Sequence, residues 1–193
     1  MRAGDAEAEF LLATRDLEAS ATLQVLKNIY TVPPADGRTL YDLIVRNRYK
    51  RVLDVGTGRG ASALWMALAT LRTGGKVTTI EFNPIIAESA RANFERSSEV
   101  CERIELVVGD ARREFDRLQG NFDMVFIDIG SEDAKLLFEP AYERVVRGGT
   151  IAVHDVLRGG AETDYVRLVR RRPGLQTTLH RVSDRGLAVS TKR

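Results

Sequence analysis

Between residues 51 and 153 the chain alternates short, almost unbroken apolar runs with longer amphipathic stretches. The runs at 51–54, 77–80, 104–108, 124–127 and 150–153 show little alternation of polar and apolar residues, as strands buried on both faces of a parallel sheet require. The stretches at 62–72, 84–98, 111–118 and 133–146 repeat apolar residues every three or four positions and read as helices. Pro84 stands at a helix-start position, and Gly148-Gly149 is placed past a helix end. A further helix at 162–172 leads into extended runs at 176–182 and 187–191. Between them, Ser183-Asp184-Arg185-Gly186 has the Asp and Gly of a hairpin loop. At the other end, residues 5–28 carry Phe10, Leu11, Ala13, Leu17, Ala21 and Val25 at helical spacing. Pro33 and Pro34 interrupt that pattern, after which Asp36 or Thr39 starts a helix running to Arg46.

These elements predict an α/β fold: a doubly wound, mostly parallel, seven-stranded Rossmann-like sheet closed by a C-terminal antiparallel hairpin, with helices ahead of it. No Pro-, Gly- or Ser-rich linker divides the 193 residues, so one domain is expected, with 1–47 a helical extension and 48–193 a cofactor-binding core. The apolar extension must cover its own sheet or a partner's, and a homodimer is expected.

The run Arg51-Val52-Leu53-Asp54-Val55 breaks into Gly56-Thr57-Gly58-Arg59-Gly60 and a helix follows at once. Such a turn bends tightly, brings backbone N–H groups close to a ligand and lets the next helix pack on the strand. Gly56, Gly58 and Ala61 also satisfy the G-x-G-x-x-G/A spacing of dinucleotide sites. A pyrophosphate would be repelled by the carboxylate of Asp54, whereas S-adenosyl-L-methionine presents a cationic amino and sulfonium end. The terminal hairpin also speaks against a dinucleotide fold, whose sheets finish in parallel crossovers.

Open α/β sheets bind ligands at the carboxyl ends of their strands. After Asp54, the next such end is Glu81, placed to accept hydrogen bonds from two ribose hydroxyls. In Gly109-Asp110-Ala111 the carboxylate and a neighbouring N–H can read an adenine edge, and Asp110 is also a good helix cap. Asp128 ends the fourth run and His154-Asp155 the fifth, both on the substrate side.

Composition narrows the setting. Hydrophobic residues make up 44% and charged residues 29%, the profile of a globular chain with a full core. The single cysteine, Cys101, cannot build a disulfide framework or a zinc site, and no signal-type segment or membrane-length apolar run is present, so a cytoplasmic protein with no membrane contact is expected. The net charge is only +2, although Arg167, Arg170, Arg171, Arg172, Arg181, Arg185, Lys192 and Arg193 crowd the last 27 residues. Without interleaved aromatics they read as a solvated face rather than a nucleic-acid surface.

From about residue 32 to 193 the chain resembles the class I S-adenosylmethionine-dependent O-methyltransferases of the catechol and caffeoyl-CoA type and their bacterial relatives. Val52 to Ser62 resembles the first motif, Thr79-Ile80-Glu81-Phe82-Asn83-Pro84 the second, Phe126-Ile127-Asp128 and Gly148 to Asp155 the later ones, and Gly186 to Lys192 the closing strand. The resemblance implies a cofactor site of Asp54, Gly56, Thr57, Gly58, Ser62, Glu81, Phe82, Gly109, Asp110, Ala111 and Asp128, with Ser62 on the cofactor's carboxylate. It implies methylation of a hydroxyl on a small-molecule acceptor, with Asp128 and Asp155 as ligands of a divalent metal such as magnesium.

Two positions depart from the family. The asparagine that follows the second metal aspartate is here Val156, and a lysine three residues after the first is Ser131. Two carboxylates alone make a weak magnesium site. A proton must still leave the acceptor, so Asp128, Asp155 and His154 are the candidate catalytic groups. Strand alternation predicts His154 and Asp155 on opposite faces, and a buried structural role suits the histidine as well. Two other readings stay open: a methyltransferase for RNA or another large acceptor, which the C-terminal arginines and a short acceptor loop permit, and a cofactor-binding protein without catalysis, for which Ser131 and Val156 speak.

Overall fold

In the computed structural model, residues 21–27 and 32–193 are described. The expected helical pattern over residues 5–20 lies outside them. Among the described residues, two helices, α1 (Ala21–Leu26) and α2 (Pro34–Asn47), precede a seven-stranded sheet of order β3-β2-β1-β4-β5-β9-β8. Its parallel part comprises β1 (Arg51–Val55), β2 (Lys76–Glu81), β3 (Ile104–Val108), β4 (Phe122–Ile127) and β5 (Val145–His154). β8 (Leu175–His180) and β9 (Leu187–Lys192) form the closing hairpin, with β9 antiparallel to β5. The crossovers are α3 (Ala61–Thr73), α4 (Pro84–Glu95), α5 (Ala111–Arg117) and α6 (Ser131–Arg144). A two-stranded ribbon, β6 (Leu157–Arg158) with β7 (Ala161–Glu162), and α7 (Asp164–Arg171) precede the hairpin.

The apolar runs are buried on both faces because each face carries a helical layer. Along β4, Met124 and Phe126 enter one core with Leu40, Ile44, Leu64 and Met66 of α2 and α3. Val125 and Ile127 enter the other, with Phe138 of α6 and Tyr165 of α7. Local chemistry starts two of the crossovers. The Asn83 side chain accepts the Ile85 N–H at 2.9 Å ahead of Pro84, and Asp110 accepts the Arg112 N–H at 3.0 Å. By contrast, no side chain caps α3, which follows Gly60 at φ 94°.

The structure differs from the sequence reading around the glycine pair. Gly148 and Gly149 do not end a helix; α6 stops at Arg144 and both glycines lie inside a ten-residue β5. There the pairing with β4 shifts register between Phe122 and Met124, and Gly148 takes φ 79°, a left-handed conformation that suits a bulge.

α2 lies close on α3 because residue 37 has no side chain. A Cβ there would sit 2.3 Å from the indole of Trp65. We therefore expect Gly37→Ala to lower stability by about 1–3 kcal/mol through overpacking, despite alanine's advantage in a helix. A lowered urea midpoint with unchanged slope is the expected observation; an equal or raised midpoint would show that Trp65 moves aside without strain.

Candidate active site

Strand order reverses between β1 and β4, and the crevice beyond their carboxyl ends holds a cavity of about 530 Å³. Gly56, Thr57, Gly58 and Ser62 form its floor, from the glycine turn and the first turn of α3. Glu81 and Phe82 enter from the end of β2, Asp110 and Ala111 from the start of α5, and Asp128 from the end of β4. The sequence-predicted cofactor residues thus meet on one cavity, apart from Gly109 and Asp54, which do not line it. Arg112, Asp133 and Leu136 also line it, and nothing in their sequence spacing had singled them out.

The Glu81 carboxylate organises the turn. It accepts the Gly58 N–H at 2.8 Å and the Asn83 N–H at 2.9 Å, which ties the glycine loop to the end of β2. Its remaining lone pairs can accept from a ligand's hydroxyls. Two apolar side chains flank the opening: Phe82 is 74% exposed and Leu136 63%. A flat apolar group seated there would cover both. Asp110 is held below the usual carboxylate range by its hydrogen-bonded pair with Arg112.

Asp54 stands one layer behind this floor. It is wholly buried, and its Oδ2 accepts Ser62 Oγ at 3.0 Å and Thr79 Oγ1 at 2.7 Å, while Oδ1 has no partner. Burial pushes its carboxyl up to about 7 against the pull of those two hydrogen bonds, and the charges of Asp128 and Glu81 push the same way. A buried carboxylate with an open oxygen behind Ser62 favours a ligand that brings positive charge to the floor. That matches an amino acid's ammonium group and repels a phosphate. The residues present therefore fit S-adenosylmethionine.

Beside Asp128 lies a second, more polar cluster. His154, at the end of β5, is 1% exposed and packed between two carboxylates. Its Nδ1 is 3.2 Å from Asp128 Oδ1 and its Nε2 is 3.1 Å from Asp36 Oδ2. Burial works against a charge on the ring, yet the hydrogen bonds to Asp128 and Asp36 outweigh it and raise the imidazole to about 9. Asp36 moves the other way: burial would raise it, and the His154 hydrogen bond holds it below its ordinary value. His154 is therefore a donor to both neighbours and not a free base.

Strand alternation places His154 and Asp155 apart; the structure brings both towards Asp128. Asp155 lies just past β5 with φ 56°, a left-handed conformation costing about 1–3 kcal/mol, and its Oδ1 is 3.9 Å from His154 Nδ1. Arg185, from the β8–β9 loop, donates to both Asp155 oxygens at 3.0 and 3.2 Å. Asp128 and Asp155 are thus each paired with a cationic partner. Val156 is fully buried in the α6 and α7 core, so the third group beside the carboxylates comes from the preceding residue, His154, rather than the following one. Ligand atoms of Asp128, His154 and Asp155 all lie within 4.8 Å of one another, a donor set that can hold a divalent cation in place of the Nδ1 proton.

The sequence marks Asp36 only as a helix start and Arg185 only as a loop residue and one of the C-terminal cluster of cations. Their signals were absent locally: Asp36 meets a residue 118 positions away, Arg185 one 30 positions away.

Set against known proteins, the chain matches the O-methyltransferase family profile over residues 5–173. It is 40% identical over 131 residues to a protein of Mycobacterium tuberculosis named catechol O-methyltransferase, a match covering 66% of this chain and 59% of that one. The chain thus spans about three-fifths of the length of the curated relatives it matches. Among solved structures, cofactor-bound Rv0187 from MTB superposes with a TM-score of 0.78 at 32% identity, covering 90% of this chain and 88% of that one. The Bacillus cereus O-methyltransferase in complex with SAH, at 24% identity and TM-score 0.76 over 89% of each chain, shares the fold.

Asp54 yields a test by pH. Its proton stays bound up to about pH 7 in the folded, ligand-free chain but only to about pH 4 once unfolded. The stability it contributes is therefore full below about pH 4 and is lost as pH rises through about 7. Relative to Asp54→Asn, the wild type should lose about 3 kcal/mol between about pH 5 and 8, read by urea unfolding. Parallel pH profiles for the two proteins would show that Asp54 stays ionised throughout.

Proposed function

The chain belongs to the O-methyltransferase family, and from that premise we propose that it transfers a methyl group from S-adenosylmethionine to a hydroxyl of a small-molecule acceptor. One observation carries the reading: Asp128 both lines the cofactor-sized cavity and anchors the His154–Asp155 cluster, so the two half-sites share a wall. When bound, the cofactor supplies a methyl group on cationic sulfur, displaced in line by the acceptor oxygen with a neutral thioether as leaving group.

The chain's own residues bind, orient and move a proton. Backbone groups of Gly56 and Gly58 admit the amino-acid end closely, with Ser62 on its carboxylate and the Asp54 charge beneath. Glu81 accepts from ribose hydroxyls, Asp110 and Ala111 present an acceptor and an N–H to the base, and Phe82 with Leu136 excludes water around it. At the other end a phenolic hydroxyl, with a pKa of about 10, must lose its proton beside Asp128 and Asp155 before it attacks. In this reading Asp128, His154 and Asp155 would hold a divalent cation, whose Lewis acidity eases that ionisation.

The large-acceptor alternative drew on the C-terminal arginines. Most of these are committed to ion pairs: Arg170 and Arg181 with Glu162, Arg172 with Glu139, Arg167 with Asp164 and Arg185 with Asp155. That supports a small acceptor. A cytoplasmic setting and a single working domain belong to the same reading; no helix among the described residues is long and apolar enough to cross a membrane.

Calorimetric titration should show S-adenosylmethionine binding and no NADH binding. Labelled methyl should pass to a phenolic or catecholic acceptor. Glu81→Ala should weaken cofactor binding by about 1–3 kcal/mol, the cost of removing hydrogen bonds to a charged group. Binding of NADH with S-adenosylmethionine ignored would reject the reading, and an unchanged affinity in the variant would place Glu81 outside the ribose site.

The expected homodimer is a proposal as well, resting on the apolar spacing of residues 5–28. Val25 and Leu26 are buried in their own chain, which limits what the extension offers a partner. Light scattering should give the dimer mass; a monomer at high concentration would mean that the extension folds back on its own domain.

A further inference from the structure

We infer that Asp128, His154 and Asp155 form a nitrogen-containing metal site, oriented by the buried carboxylate of Asp36, that takes a first-row transition ion in preference to magnesium. The donors converge from two strand ends. His154 Nδ1 stands 3.2 Å from Asp128 Oδ1 and 3.9 Å from Asp155 Oδ1, spacings suited to neighbouring ligands of one ion. The ring is fixed from behind. Its Nε2 faces Asp36 Oδ2 at 3.1 Å, and Asp36 itself is 0% exposed in the first turn of α2.

A carboxylate on the far nitrogen of a histidine selects the tautomer that carries its proton there, leaves the near nitrogen as donor and raises its basicity. The preceding residue on β5, Val153, is apolar and buried and cannot do this, and Asp155, which follows, stands on the Nδ1 side. Ion preference follows from donor type. Magnesium favours an all-oxygen shell and sheds water reluctantly, whereas imidazole suits iron, nickel, copper and zinc, with cobalt between iron and nickel in the affinity order. Substituting one nitrogen into a carboxylate pair therefore moves the site along that series. Three protein donors leave coordination positions open, and Asp128 directs them towards the cavity it lines. Arg185 holds Asp155 from the loop side and offsets one of the three negative charges gathered around the ring.

Binding rests on these donors alone; only the use of the ion rests on the methyl-transfer reading. The test is titration of the full chain with cobalt(II), followed by its visible absorption, and competition with magnesium. Expected is one cobalt per chain with an affinity at least about 100-fold above that for magnesium, since imidazole donors favour transition ions. His154→Gln should remove that preference, and Asp36→Asn should weaken cobalt binding about 10- to 100-fold, the usual effect of losing an outer hydrogen bond. Cofactor titration of both variants guards against misfolding; a variant that fails it is replaced by Asp155→Asn, which should also weaken cobalt. Equal affinity for magnesium and cobalt, cobalt binding indifferent to His154→Gln, or no stoichiometric cobalt would each overturn the inference. Cobalt binding as expected with no methyl transfer to any acceptor would leave the metal site standing and refute the transferase reading.

Discussion

The turn after β1 and the end of β4 touch at one point, and the geometry of both half-sites depends on it. Asp128 donates its N–H to the Val55 carbonyl at 2.8 Å, and a Cβ on Gly56 would lie 2.5 Å from the Asp128 carbonyl oxygen. Gly56 also sits at φ 99°, a conformation that side chains rarely adopt. Its glycine therefore serves the approach of two strands as well as the approach of a ligand. A side chain there would part β1 from β4 and pull the cofactor floor away from the residue that anchors the acceptor cluster.

Burial of charge is the second constraint, and the chain resolves it differently on the two sides of that contact. Beneath the glycine turn Asp54 has hydroxyl donors but no cation, and its carboxyl rises to about 7. Beside Asp128 the carboxylates are matched by His154 and Arg185. An isolated buried ion is costly, while a paired and hydrogen-bonded one is tolerated. The unmatched group is the one beside the proposed seat of a cationic ligand. Binding there supplies the missing counter-charge, so part of the recognition is stored as an unfavourable charge state in the empty protein.

How much of this was legible in the sequence follows from distance along the chain. The parallel strands could be read because burial on both faces leaves an unbroken apolar run, and the glycine turn because its geometry needs three glycines within five residues. Glu81, Asp110 and Asp128 could be found because each ends a strand or follows its end within two residues. Asp36 could not, since only the packing of α2 on α3 carries it to His154, and that packing rests on a glycine beside an indole. Nor could the shared side of His154 and Asp155: alternation holds within a strand, and Asp155 is the first residue beyond one. The glycine pair misled for a related reason, because glycine past a helix and glycine in a bulge carry the same local signature.

That geometry gives the segment ahead of the core a part in the chemistry. α2 has no residue on the cofactor turn, yet through Asp36 it sets the orientation of the one imidazole in the cluster, and through Gly37 its own position depends on Trp65 in α3. α3 in turn begins at the glycine turn, with Ser62 holding Asp54. A displacement of α2 would thus be felt first at His154, while the Glu81 clamp on Gly58, built from the end of β2 and the turn after β1, would stay in place. The two half-sites are joined at Asp128 but supported independently, which is why damage to the helical layer should separate loss of acceptor chemistry from loss of cofactor binding.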